Sequence, residues 1–552
     1  MLEDHPSPAP RIIAAEAVIV AAAFAALYLL TLAGTHNEGG DGIGYMTQIR
    51  SGDAALIFNP YHLAYNWLGW AAYHIARLAG FGGGPLGPVQ IMNATLGAAG
   101  VGVLWALMRA AAPGRTAAVA AVGLLGLSFG YWGYAVDAEL YTLDAFLLIL
   151  LLAAAWRAAT IRSPRTFAVM GLANGAAVLG HNTAALWLLV AIMLLARARR
   201  DLPRAVLLRA AAAYAAGAAA VVLPAYALAV PAVGLHTPRE YYDWLTGYAQ
   251  SGSYGHWQTT TPLRVALGAG RALVGAHSAL ALSPVHRFIA QHFADKSLRK
   301  EFFLVRNVSS GEAYALLAVA AVVGLALLAL AAHWLRRPAL APRTRALALV
   351  ALVWLVPYVI FFAWWQPENV KFWISSWIPA AVLLALPLSS ADLGPRVRRL
   401  APYALAVAMS ALFVVNLAGS ILPYRAKSND YWRVRVAWYE QNTHPGDIVF
   451  ANDYVYVEYL NYFGHGKAYD LGNDIIGKVG PERAPAEIQR LIDASPGSRV
   501  FFSSEIFYPG QDQYSNCVEP ICTTGDAVRR AFQPRSTEVA DLPLEEVWQL
   551  RR

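Results

Sequence analysis

The chain reads as a polytopic α-helical membrane protein of about eleven transmembrane helices followed by a C-terminal extracytoplasmic α/β domain. Three observations predict this. Of 552 residues, 57% are hydrophobic and only 14% charged, against about 25% charged in a soluble chain. The apolar residues gather into runs near the ~20 residues that cross a bilayer core. The formal charge of +8 is divided unevenly, with 29 Lys+Arg and 17 Asp+Glu in residues 1–423 and 14 and 18 in 424–552. At ~150 residues per domain the length would suggest about four soluble domains, which so few charges cannot clothe, and so apolar a chain is not disordered.

The spans are expected near 12–34, 88–108, 116–134, 140–157, 166–181, 183–197, 206–229, 313–334, 346–364, 372–389 and 401–423. The first is no cleaved signal peptide, since it is long and preceded by Glu3 and Asp4. Alternate short loops set the orientation. One set holds 17 arginines, among them Arg109, Arg157, Arg197, Arg336 and Arg396, while the opposite set holds only Lys371. Basic loops stay in the cytoplasm, so the N-terminus is expected inside and the C-terminus outside. The basic charge is therefore topological and gives no support to nucleic-acid binding. The count requires that 62–80, which carries His62, His74 and Arg77, lie at the interface without crossing.

Two loops, 35–87 and 231–312, then face outward with the terminal domain 424–552. In that domain GDIVFAND (446–453), Lys467–Leu471 and Arg499–Ser503 read as strands, and Tyr454–Phe463 and Pro485–Ala494 as helices. No Gly-rich phosphate loop follows a strand. Cys517 and Cys522 are the only cysteines; a local disulfide and two free thiols both fit, and a thiolate metal site lacks further cysteines.

The candidate chemistry sits in the outward loops. THNEGGDGIGY (35–45) holds Glu38 and Asp41 among glycines, and Tyr45 ends it. A carboxylate there can take a proton from a hydroxyl; the plain alternative is a polar loop that starts a helix. Asp53 reads as a turn cap. FNPYHLAYNW (58–67) offers His62, and YAVDAELYTLD (134–144) offers Asp137 and Glu139, with Asp144 deeper. His181 sits between two short spans as a binding or a turn residue. Lys371, in WWQPENVKFW (364–373), is either a phosphate contact or an anchor beside Trp364, Trp365 and Trp373.

The order of these features resembles the polyprenyl-phosphate-sugar glycosyltransferases of the GT-C superfamily, relatives of the protein O-mannosyltransferases and lipid A aminoarabinose transferases. Gly40-Asp41-Gly42 followed by Asn59-Pro60-Tyr61-His62 is similar to that family's first-loop acid and interfacial helix. Residues 135–157, 171–192, Lys371–Pro379 and 438–454 resemble, in turn, its acidic loop and span, its paired short helices, its basic-aromatic span start and the opening of its outer domain. The resemblance implies transfer of a sugar from a polyprenyl-phosphate donor to a hydroxyl on a glycan, lipid or protein, at the outer face of a bacterial-type cytoplasmic membrane. It implies Asp41 as general base with Glu38 as second acid, and inversion at the sugar. Lys371, His62 and an arginine of loop 231–312 would stabilise the leaving phosphate, with Asp137, Glu139, His181 and Tyr45 also binding substrate. Many relatives carry two acids adjacent or one residue apart; here they stand three apart. A mechanism without metal is therefore expected, a divalent ion being less favoured. The other class the sequence allows is a lipid or glycan flippase, which would predict inverted repeats and broken helices at midplane.

Overall fold

A computed structural model describes residues 9–36, 41–112, 114–250, 254–292, 299–336, 338–390, 393–508 and 521–551. The chain forms two compact units. The first comprises residues 1–32, 48–276 and 315–421, and the second 33–47, 277–314 and 422–552.

All eleven apolar stretches are helical in the first unit. Among the described residues eight helices are long and apolar enough to cross a membrane, from Pro10–Leu30 to Pro395–Arg425. A ninth crossing would be the pair Arg115–Gly126 and Phe129–Ala135, bent by 62° at the break. Pro164–Gly180 is 17 residues long, about 25 Å at 1.5 Å per residue. It packs on Arg204–Val233 through small residues, since a Cβ on Gly175 would lie 2.8 Å from the Ala218 carbonyl oxygen. After His181 the chain runs as a 3₁₀ turn, Asn182–Trp187, into Leu188–Ala198. Leu63–Leu78 is a 16-residue amphipathic helix outside the candidate spans.

A break in a helix frees backbone groups that hydrocarbon cannot satisfy. Asn416 meets that need at two places. Its amide donates to the Leu127 carbonyl at the bend (2.7 Å) and to the Leu273 carbonyl ending helix Thr261–Leu273 (2.8 Å). Its oxygen accepts the Gly275 N–H at 3.1 Å. The residue is fully buried.

The second unit carries a five-stranded sheet of β1 (Ile448–Ala451), β2 (Lys467–Asp470), β3 (Val500–Ser503), β4 (Ser536–Leu542) and β5 (Glu545–Leu550), in the order β2-β1-β3-β5-β4. The first three strands are parallel and the last two form an antiparallel hairpin on β3. Helices Tyr454–Phe463 and Ala484–Asp493 stand where the sequence placed them. β1 and β3 are wholly buried, as parallel strands covered on both faces must be. Phe450 stacks on Phe502 at 5.4 Å over a core that includes Ile488 and Phe532. A buried ionic group lies beside this core. Arg435 donates to Glu505 (2.6 Å) and Glu545 (2.9 Å), its guanidinium 4.1 Å from the Tyr456 ring centroid, and Arg299 also pairs with Glu505.

Asn416→Leu would strand two carbonyls and an amide in an apolar setting. It should cost more than about 2 kcal/mol, seen as a lower thermal midpoint of the detergent-solubilised full chain. An unchanged midpoint would mean that other donors serve these breaks.

Candidate functional site

The site residues fall in both units, and each group is built by its own neighbours. In the first unit His62 and Lys371 gather around His181. Pro60 and Tyr61 are tied down by two hydrogen bonds: the Tyr226 hydroxyl donates to the Pro60 carbonyl (2.6 Å), and the Asn182 N–H donates to the Tyr61 carbonyl (2.9 Å). The second bond fixes the 59–62 turn beside His181. His62 follows as the buried N-cap of helix Leu63–Leu78. The His181 Nδ1 accepts from the Thr183 N–H (3.3 Å) and lies 2.7 Å from the Thr183 hydroxyl. That arrangement suits an imidazole with its proton on Nε2. The His181 ring lies 5.8 Å from the Tyr141 ring, and the Lys371 Nζ lies 5.5 Å from that same ring. His62 and Lys371 both act electrostatically on His181. Three residues that the sequence singled out separately are thus neighbours. Trp373 is buried, its indole N–H bonded to the Pro367 carbonyl (2.8 Å), and so cannot serve as a surface anchor beside Lys371.

The loop that carries Asp137 and Glu139 is held from below. Asn93 donates to the backbone carbonyls of both, each at 2.8 Å, and Gln90 donates to the Val136 carbonyl at 3.1 Å. Both acids are buried. The Asp137 carboxylate accepts the Ala138 N–H at 2.7 Å, which turns it toward its own loop. Asp144 accepts from the Ser375 hydroxyl at 3.2 Å.

In the second unit the segment before Asp41 is pinned to the C-terminal residues. The Gly34 and Thr35 amides donate to the Tyr424 carbonyl (2.9 and 2.8 Å), and the His36 amide donates to the Asp430 carboxylate (3.1 Å). Asp430 also accepts from the Tyr459 hydroxyl (2.9 Å) and caps helix Tyr431–Asn442 through the Arg433 N–H (2.9 Å). Burial raises the Asp430 carboxyl, while His36 and the donated bonds draw it back. Glu38 lies outside the described residues. Asp41 leads into helix Gly42–Ser51, its carbonyl accepting the Tyr45 N–H at 3.0 Å. Tyr45 is buried, and Asp53 caps a short helix as expected.

Sequence reading missed Glu458, on helix Tyr454–Phe463. Its carboxylate lies against Gly44, where an added Cβ would be 3.2 Å from the Glu458 Cδ. Burial, then Asp474, then Asp41 push its carboxyl up to about 7. Nothing in YVYVEYLNYF marks that glutamate; its partner lies more than 400 residues away in the chain. Among the described residues no three His, Cys, Asp or Glu side chains gather as they would around a metal ion.

A carboxyl raised from 4.5 to about 7 binds its proton more tightly in the folded chain. Its contribution to stability is full below about pH 4.5 and is lost as pH rises through about 7. Glu458→Gln removes that loss. The variant should therefore gain thermal midpoint relative to wild type across this interval. A difference that stays constant would show that Glu458 does not carry the titration.

The fold can be set beside known proteins. No protein-family model matches the sequence, and no curated protein sequence matches it. Two solved structures of ArnT from Cupriavidus metallidurans do match, one bound to undecaprenyl phosphate (TM-score 0.59) and one in the apo state (0.57). Each is 13% identical to this chain, with 96% of this chain and 97% of the other covered. Over nearly its whole length the chain has the fold seen in these ArnT structures.

Proposed function

We propose that the chain is an integral-membrane glycosyltransferase that moves a sugar from a polyprenyl-phosphate donor to a hydroxyl acceptor. The observation that carries this reading is the grouping of His62, His181 and Lys371 in a fold that, in ArnT, has been solved with undecaprenyl phosphate bound. A lipid phosphate needs positive charge and donors to leave as an anion, and the cluster supplies both.

Asp41 takes the proton of the acceptor hydroxyl as that oxygen bonds to the anomeric carbon. The bond from the anomeric carbon to the phosphate oxygen breaks, and its electron pair leaves with the lipid phosphate. Attack from the opposite face inverts the sugar. Lys371 and His62 balance the phosphate charge, and His181 donates through Nε2. Asp137, Glu139 and Tyr45 shape the binding of sugar and acceptor. Glu458 tunes the base. It is protonated below about pH 7 and, once ionised, adds a second negative charge beside the Asp41 segment.

The arginine asymmetry supports a cytoplasmic-membrane location with the N-terminus inside, and residues 424–552 as the extracytoplasmic domain that follows a catalytic membrane part, 1–423. A lipid-linked donor suits that side, where nucleotide sugars are not expected.

The test is sugar transfer by the purified full chain from a panel of radiolabelled polyprenyl-phosphate sugars to an envelope-lipid and glycan extract. Wild type should transfer from at least one donor, and Asp41→Asn should lose about 100-fold or more. Glu458→Gln should remove an inflection near pH 7 from the rate profile. Undiminished transfer by Asp41→Asn would remove Asp41 as base. No transfer by wild type from any donor would favour a flippase.

A further inference from the structure

Within the first unit, helices Ser310–Leu335 and Pro395–Asn416 border a cavity of about 470 Å³, inside the range of ligand sites. Its walls are apolar, with Leu327, Leu330 and Leu405 among them. The charged residues that line it are all basic: Arg336 and Arg396, with His333 beside them. The His333 Nε2 is buried and has no hydrogen-bond partner among the described residues. A buried ring nitrogen without a partner is costly and calls for a polar group in the cavity.

An apolar body with a cationic rim matches an anionic amphiphile. Guanidinium forks suit phosphate oxygens, and basic pockets between transmembrane helices take lipid head groups. The loop arginines give the chain its positive-inside count. That count asks only that they lie in the loops. It does not ask that two of them meet at a cavity beside an unpartnered imidazole. The cavity is separate from the cluster around His181. Leu388, which lines it, and Lys371 lie near opposite ends of the span Val370–Ser389, about 25 Å apart along the axis.

We propose that this cavity binds an anionic phospholipid, with acyl chain on the leucine walls and headgroup phosphate against His333, Arg336 and Arg396.

The test is native mass spectrometry of the delipidated full chain titrated with phosphatidylglycerol or phosphatidylcholine. Phosphatidylglycerol should be retained at about tenfold lower concentration than phosphatidylcholine. That preference should vanish in the double variant Arg336→Gln/Arg396→Gln. Ala404→Trp fills the cavity and leaves the charges in place, and it should weaken retention to a similar degree. Both arginines are exposed, so their replacement leaves the packing intact. Equal retention of the two lipids would overturn the proposal, as would an undiminished preference in the arginine variant or undiminished retention by Ala404→Trp. Displacement of phosphatidylglycerol by undecaprenyl phosphate, mole for mole, would do so as well.

Discussion

The second unit depends on one buried carboxylate. Asp430 is fully buried and accepts from the His36 amide, the Arg433 amide and the Tyr459 hydroxyl. A buried carboxylate is tolerated only when its oxygens are occupied, so these three donors are held as firmly as the charge is costly. They come from the segment before Asp41, from helix Tyr431–Asn442 and from the helix that carries Glu458. With those three elements fixed, Asp41 and Glu458 act on each other. The segment after the first span thereby belongs to the unit that contains the C-terminal domain.

The first unit meets the same demand with amides. Asn416 serves the broken helix at Leu127 and the helix end at Leu273, and Asn93 holds the loop of Asp137 and Glu139 by its carbonyls. In hydrocarbon an irregular backbone survives only with such internal partners. The candidate residues of the first unit stand at such irregular places. His62 caps one helix, His181 joins a helix to a 3₁₀ turn, and Lys371 starts a third helix.

Much of the fold was legible because bilayer crossing and strand burial leave strong local patterns. The apolar stretches are helices, and β1, β2 and β3 with their crossovers fall within a residue or two of their expected bounds. The β4–β5 hairpin was not read. β4 is an edge strand with Glu538 and Asp541 in it, and such strands carry charge where a central strand carries valine. The bend at Leu127–Ser128 was hidden too, since the side chain that satisfies its freed carbonyl lies 289 positions away. Long range also explains the candidate site. His62, His181 and Lys371 could be picked singly by their place in polar loops, whereas their proximity rests on hydrogen bonds such as Asn182 to Tyr61. Glu458 had no local mark at all.

The central claim is a division of labour, with Lys371 and the two histidines holding the lipid phosphate and Asp41 handling the acceptor proton. The most direct measurement is the affinity of undecaprenyl phosphate for the purified chain, compared between wild type, Lys371→Ala and Asp41→Asn. The account predicts that Lys371→Ala binds the lipid at least about tenfold more weakly and that Asp41→Asn binds it as wild type does. Equal binding by wild type and Lys371→Ala would contradict it.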